Sequence, residues 1–404
     1  MKIGVIGGGA AGFFAAIHAP YAGHKVKLFE KSPKVLSKVL ISGGGRCNVT
    51  HGTHLINELL KGYPRGKQFL KKVFGHFSTT DTVAWFESRG VSLKTEADLR
   101  VFPESNDSKT IVRILMDEAA RYGVQVLTRQ PIDRLSVSEG EFVLGGKGLE
   151  EKVDRLIVCT GGNNKRAGYA FLEQLGHRVI DPIPSLFTFN TPDSALIKLK
   201  GISVPDGMIR FAGSKLKYSG PILITHWGVS GPAVLKLSAF GAEWLFDQQY
   251  QAEVLISWDR HFTETGLKDA MYAYKQAHPK KNIQKNALFD LPSRLWQFLA
   301  ENAAVEEALI WEDISKKKIN KLTENLFNFP LKISGKTTFK EEFVTAGGVD
   351  LAEIDADTME SKLIKGLFFA GEVINVDGIT GGYNFQAAWS TGFLAGKSST
   401  KKQI

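Results

Sequence analysis

Cysteine is scarce in this chain. Its 404 residues include only Cys47 and Cys159, and two thiols so far apart make neither a disulfide scaffold nor a zinc site. No Cys-x-x-Cys occurs, which argues against a disulfide-reductase mechanism. Long apolar runs are missing too. The longest near the start, Ala10 to Ala19, is too short to span a bilayer and is broken by Gly12 and His18. A cytoplasmic protein with no membrane contact and no metal is therefore expected. There is no internal repeat and no low-complexity tract, and with 43% hydrophobic residues the chain can bury a core of two or three domains. Lys+Arg 51 against Asp+Glu 42 gives +9. That balance favours an anionic partner but also suits an ordinary basic enzyme.

What is present begins with a short apolar strand followed by Gly7-Gly8-Gly9-Ala10-Ala11-Gly12. A second strand, Val26 to Phe29, then ends at Glu30. Together these spell a dinucleotide-binding βαβ unit. Gly7 permits the turn out of the strand, Gly9 lets backbone approach a pyrophosphate, and Gly12 lets helix and strand pack closely. The phosphates would rest on the free amides of the helix N-terminus, and Glu30 would accept the ribose hydroxyls of an adenosine.

Apolar spacing predicts a helix over Lys109 to Tyr122 and a strand over Val124 to Leu127. Short strands are expected around Ile132 to Leu135, Phe142 to Leu144 and Val153 to Cys159. From about Phe187 the pattern suggests a small β-barrel, with strands that include Met208 to Ala212, Gly220 to Thr225 and Ala252 to Ser257. Helical spacing over Thr263 to Ala277, Leu291 to Ala303 and Ile319 to Phe327 points to a helical piece inserted into that barrel. The last stretch, Leu363 to Lys397, returns to strand, glycine turn and helix. The domains expected are therefore residues 1–186 with 343–404 for the nucleotide, 187–258 with 328–342 for the barrel, and 259–327 for the helices.

Near the C-terminus an apolar strand, Gly366 to Ala370, ends in Gly371-Glu372, where the carboxylate can accept from ribityl hydroxyls. Thr380-Gly381-Gly382-Tyr383-Asn384 then opens a helix whose N-terminus would stabilise an anionic reduced flavin ring. Two glycine-rich strand-to-helix turns in one domain, one for phosphates and one for a ring, indicate FAD rather than NAD.

A third element, Leu40-Ile41-Ser42-Gly43-Gly44-Gly45-Arg46-Cys47-Asn48-Val49-Thr50, carries a specific resemblance. With Val101-Phe102-Pro103, Cys159-Thr160-Gly161-Gly162, Gly176-His177, Thr225 to Pro232, Thr345 to Val349, Ser361-Lys362 and Gly371-Glu372 through Gln386, the chain resembles the BaiN/RdsA family of FAD-dependent oxidoreductases, also known as YhiN-like flavoproteins. The resemblance covers nearly the whole length. It implies an α/β fold: a Rossmann-like FAD-binding domain of the glutathione-reductase type with an inserted β-barrel domain and a helical subdomain. It also implies NAD(P)H as a transient donor, and reduction of uridine to dihydrouridine in large-subunit ribosomal RNA. Alternatives are a small-molecule flavin reductase or amine oxidase acting on a bile-acid-like or amino-ketone substrate, and a non-catalytic FAD-binding module on the ribosome. No second G-x-G-x-x-G is present, so the donor has no domain of its own. Two departures from the family pattern are Leu36-Ser37 before the shared Lys38, and Asn375 where many members carry an aspartate.

The residues expected to hold the cofactor are Gly7, Gly9, Ala10, Ala11, Gly12, Glu30, Lys31, Lys38, Ser42, Gly43, Gly44, Arg46, Cys47, Ile132, Thr160, Gly161, Gly162, Gly371, Glu372, Gly381, Gly382, Tyr383 and Asn384. Cys47, Arg46 and His226 are the catalytic candidates. Cys47 lies beside a cation that would lower its pKa and would protonate the substrate, or else it is a small packed contact. Arg46 would serve the cofactor, an anionic substrate or a structural ion pair. His226 is a general acid or a turn residue, and Trp227 is a stacking platform or core. Cys159, inside an apolar strand, reads as structural. The basic runs Lys61 to Lys67 with Lys71-Lys72, Lys280-Lys281, and Lys316-Lys317-Lys318 with Lys321 read as solvated faces or as a grip on RNA.

Overall fold

The computed structural model describes residues 1–19, 23–146, 148–337 and 344–400. It divides into two compact units, Met1–Ser185 with Lys340–Ile404, and Leu186–Phe339. The boundary expected at 342/343 lies outside the described residues.

The first unit is built on a five-stranded, all-parallel sheet in the order Leu367–Phe369, Arg155–Val158, Lys2–Ile6, Lys25–Phe29, Gln125–Leu127. Strands such as Leu156-Ile157-Val158 are buried without alternation, as expected for a parallel sheet covered on both faces. The expected strand over Val153 to Cys159 is in fact two, Leu149–Val153 and Arg155–Val158. Asp154 breaks the run because its amide donates to the Lys2 carbonyl (2.9 Å) and its carboxylate accepts from the Lys2 amide (2.5 Å). The first of these strands closes an antiparallel meander with Arg134–Ser138 and Glu141–Gly146. Ile132 stays in the turn before the meander rather than in a strand.

The first helix, Ala10–His18, is apolar on nearly every side and correspondingly buried. It packs against the C-terminal helix, Tyr383–Ser399. Gly392 and Gly396 face the carbonyls of Ala11 and Ala15 so closely that a Cβ at either glycine would overlap them. Lacking side chains at i and i+4, one helix backbone lies directly on the other. His18 completes this core. Its Nε2 accepts from Trp85 Nε1 (3.1 Å), so the proton sits on Nδ1, which donates to the Phe14 carbonyl (2.7 Å).

In the second unit a seven-stranded antiparallel sheet runs in the order Phe329–Ser334, Gln251–Ser257, Ser203–Phe211, Lys217–Ile224, Gly228–Ser230, Thr188–Asn190, Lys336–Thr337. Its two edge strands are consecutive in the chain, separated only by Gly335. The Gly335 amide donates to the Tyr250 carbonyl (2.9 Å) and its carbonyl accepts from the Asn190 amide (3.1 Å). The sheet is thus closed into a barrel through one residue with φ +105. Helices Glu264–Ala277, Ser293–Asn302 and Lys316–Phe327 occupy the stretch where helical spacing was read. One hydrophobic cluster runs from barrel residues such as Phe211 and Ile256 into helix residues such as Trp296, Leu299 and Leu322. Among the described residues no helix is long and apolar enough to cross a membrane.

Burial lowers the His18 pKa to about 4. Above the unfolded value of about 6.5 both states are neutral and the full stability is present; as pH falls below it, only the unfolded chain gains the proton. Stability due to this residue should therefore fall by about 2 kcal/mol by pH 5. Urea unfolding of the wild type and of His18→Gln at pH 7.5 and pH 5 checks this: the variant should lose less on acidification, and an equal loss would refute the assignment.

Candidate functional site

The nucleotide turn holds the geometry that its sequence requires. A Cβ at Gly12 would overlap the Gly7 carbonyl oxygen, so the turn and the first helical turn interlock only with glycine there. Gly9, by contrast, is exposed and a Cβ on it would meet no protein atom within 4 Å. The space above Gly9 is bounded by a helix N-terminus that no side chain caps and that has no acid in its first turn. Such an end offers free amides and the positive end of the helix dipole. Ala10 is half-buried beside it, and Ala11 turns inward. Glu30 is held at the strand end by the amides of Gly8 (2.8 Å) and Ser32 (2.7 Å), one to each carboxylate oxygen. Each oxygen keeps a further lone pair for a hydroxyl. Lys31 is exposed beside it.

The second glycine-rich element interrupts a helix. Ser42 leaves helical geometry (ψ 151), and Gly43, Gly44 and Gly45 follow with φ of 57, 68 and 85. Three successive left-handed residues are affordable only as glycine. Gly43 rests on the ring of Phe102, and Gly44 is exposed with no protein atom within 4 Å of a would-be Cβ. Lys38, one turn earlier, reaches Glu372 (3.0 Å), whose other oxygen accepts from the Thr345 amide (2.8 Å). This ion pair ties the glycine-rich element to the Gly371-Glu372 strand end. Thr160 is exposed and Gly161 half-buried, while Gly162 leaves room for the Thr345 hydroxyl, which is buried with no hydrogen-bond partner. An orphaned hydroxyl, an open glycine and an uncapped helix end fit a polar, phosphate-bearing cofactor.

At the C-terminal turn, Gly381 and Gly382 have φ of 119 and 90, and Gly382 lies against the Thr50 backbone. Tyr383 turns inward, its ring near His51 (4.8 Å) and Tyr63 (5.5 Å). Asn384 bonds both the amide and the carbonyl of Gly378 (2.8 Å each), so its side chain staples the loop. Asn375, the departure from the family pattern, accepts from the Gly347 amide (3.0 Å). Ile132, in its turn, is half-buried.

Two expectations are corrected here. Cys47 is fully buried, and burial pushes its thiol up to about 12, against a smaller lowering from its hydrogen bond with Ser42. The anticipated lowering by Arg46 is absent because that guanidinium points elsewhere. It stacks on Phe102 (4.0 Å) and pairs with Glu96 (2.8 Å), which also binds Arg100. Arg46 is therefore a partly exposed member of an ion-pair cluster, not a buried cation awaiting an anion. Cys159 is likewise buried.

His226 belongs to the second unit, exposed in the turn between two barrel strands, its ring 3.8 Å from that of Trp227. Among the basic runs, Lys280, Lys318 and Lys321 pair with Glu312, Glu306 and Glu324, while Lys316 and Lys317 are exposed at the start of their helix. Among the described residues no cluster of His, Cys, Asp or Glu could hold a metal.

Sequence reasoning gave no role to Gly176-His177 and Ser361-Lys362, which meet in space. Buried His177 bonds Glu353 through Nδ1 (2.9 Å) and Ser361 through Nε2 (3.1 Å). The Ser361 oxygen also accepts from the amides of Leu363 and Ile364 and is nearly inaccessible, so the trio is a structural pin rather than a nucleophile.

Gly9→Val should fold like the wild type and lose FAD, because its side chain enters only the space above the turn. Gly12→Val should fail to fold, because its side chain has nowhere to go. Thermal unfolding alongside the flavin absorbance of each purified protein checks both, and a yellow Gly9→Val protein would contradict the site.

The family model described as HI0933-like protein Rossmann domain matches residues 1–398. The chain is 30% identical to the ribosomal RNA dihydrouridine synthase of Haemophilus influenzae, over 98% of both chains. It is also 30% identical to the enzyme of that name from Escherichia coli, again over 98% of each. A 3-dehydro-bile acid delta(4,6)-reductase of Clostridium scindens is 27% identical over 99% of both. Among solved structures, a 3-ketosteroid-delta4-(5alpha)-dehydrogenase from Rhodococcus jostii shares the fold at TM-score 0.52 and 16% identity, covering 99% of this chain and 97% of that one. A 3-ketosteroid delta1-dehydrogenase from Sterolibacterium denitrificans has the same TM-score at 11% identity, covering 98% and 99%. With the open Gly9 turn, the Glu30 strand end and a match along almost the whole chain, the protein belongs to the HI0933-like family of Rossmann-type, FAD-binding oxidoreductases.

Proposed function

We propose that the protein uses NAD(P)H to reduce a carbon–carbon double bond through FAD, and that its substrate is a uridine of large-subunit ribosomal RNA, converted to dihydrouridine in the cytoplasm. The observation that carries the substrate is the end-to-end likeness to two ribosomal RNA dihydrouridine synthases. The nucleotide turn carries the cofactor. Bound FAD would accept a hydride from the donor and pass it to one carbon of the double bond, while a proton goes to the other.

In this reading the first helix end and Gly9 hold the pyrophosphate, Glu30 the adenosine ribose, and Glu372, fixed by Lys38, the ribityl chain. The turn at Gly381 and Gly382 and the N-terminus of the last helix meet the flavin ring and favour its anionic reduced form. Cys47 packs beneath the glycine-rich loop and moves no proton, being inaccessible. The proton falls to His226. The three-part division given by the sequence stays in this reading: cofactor residues 1–186 with 343–404, barrel 187–258 with 328–342, and helices 259–327. A target uracil must leave its stack to reach a flavin, which costs a few kcal/mol and favours a loop nucleotide.

The second reading, a small-molecule reductase, is favoured by the bile-acid relative, which is nearly as similar over the same length. Mass spectrometry of ribosomal RNA from a strain lacking the gene and from its complemented partner separates the two. Loss and recovery of one dihydrouridine is the expected outcome, and an unchanged RNA would transfer the proposal to the small-molecule reading.

Charge reversal at Lys316 and Lys317, the exposed pair, should weaken RNA binding and flatten its salt dependence by about two counterions. NADPH oxidation should stay as in the wild type. Affinity measured across a salt series checks this, and an unaltered slope would return the run to a solvated face.

A further inference from the structure

Arg65 lies in the basic run Lys61 to Lys67, yet it points inward. Its guanidinium grips Asp377 through Nε (2.5 Å) and Nη2. The Asp377 side chain has no exposed surface and that of Arg65 is only 11% exposed. Ser185 Oγ donates to the same carboxylate and accepts from Arg65 at 3.2 Å. Burial raises the Asp377 pKa and the guanidinium opposes it.

The neighbours of this pair fix one loop. The stretch from Asn375 to Gly382 leads into the C-terminal helix, and the segment from Gly62 to Gly66 braces it. The Gly62 carbonyl accepts from the Ile379 amide (2.9 Å). Tyr63 Oη donates to the Tyr383 carbonyl (2.7 Å), and Gly66 leaves room for the Val376 side chain. Asp377 immediately precedes Gly378, which Asn384 staples to the first turn of the helix. A buried ion pair is poor evidence for added stability, since well-packed apolar residues often do as well. It does fix direction and charge, because each partner left alone is a buried unpaired ion.

We infer that Arg65 and Asp377 are positioning residues for the flavin-ring end of the cofactor site, holding the Gly381-Gly382 turn in place and keeping the charge behind it neutral. This rests on the reading of that turn as the ring-binding edge. Arginine cannot shed its proton, so removing the carboxylate leaves a fixed cation in a low-dielectric region where charge acts over distance. Removing the guanidinium instead lets Asp377 take up a proton and become neutral. The two single variants therefore differ in sign of effect, which a purely architectural pair would not produce.

The experiment is reductive titration of the purified, FAD-loaded full-length protein against reference dyes, followed by absorbance. Asp377→Asn should shift the bound flavin toward the reduced form by about tenfold, which is about 30 mV for a two-electron couple. The double variant Arg65→Gln with Asp377→Asn should return to within about twofold of the wild type, although it lacks the whole pair. An Asp377→Asn protein with the wild-type potential, or a double variant that stays shifted, overturns the inference. Should Asp377→Asn not fold, Ser185→Ala keeps both charges and removes one hydrogen bond to the carboxylate. About fivefold weaker FAD binding then supports the inference, and wild-type binding overturns it. A wild-type protein that binds no FAD would instead refute the proposed function.

Discussion

The contact on which the first unit depends is backbone against backbone: Gly392 and Gly396 of the last helix on the carbonyls of Ala11 and Ala15 of the first. Each of these helices starts at a glycine turn proposed to meet one end of the cofactor. The distance between the two turns is set by how closely the helices pack, and with glycine at the interface that packing is as close as helices allow. A methyl group on either glycine would push apart the phosphate end and the ring end together. The ion pair of Lys38 with Glu372 works to the same end from the other side, tying the glycine-rich element to the strand end at Gly371. A long cofactor needs its anchor points in fixed relation, and both devices supply that relation without touching the chemistry.

Local signals were legible in the sequence, and so was the family. The strand, turn, helix and acid of the nucleotide unit depend on residues within about one βαβ repeat, where spacing translates directly into geometry. Barrel strands and insert helices were found from periodicity for the same reason. Side-chain direction was not legible. Cys47 was read from its sequence neighbour Arg46, but a left-handed backbone at Cys47 (φ 60) and the pull of Phe102 and Glu96 send the two side chains apart. Arg65 was read from the lysines around it, whereas its partners lie at Ser185 and Asp377, far along the chain. Such pairings are set by tertiary contact, which composition and spacing do not encode. The strand break at Asp154 has the same origin, since its partner is the backbone of Lys2.

The barrel shows how one residue can decide topology. Seven strands could form an open sheet with two bare edges, each a template for unwanted pairing. Here the edges belong to one continuous stretch of chain, and Gly335 hydrogen-bonds to the chain on each side of it. Its positive φ lets the strand bend sharply enough to serve both sides. The insert is in this way closed on itself, with a core shared between barrel and helices.

The first unit, unlike the insert, is assembled from both ends of the polypeptide, and this sets a timetable for its synthesis. The edge strand Leu367–Phe369 and the helix Tyr383–Ser399 leave the ribosome after every residue of the insert. The opening βαβ unit therefore waits, its first helix lacking the glycine face it will pack on, while the contiguous insert has all of its own sequence at hand. Domains generally fold as units during translation, N-terminal first. In this chain the order is inverted: the middle can finish before the beginning, and capture of the cofactor becomes the last step of maturation, completed only when the final helix docks.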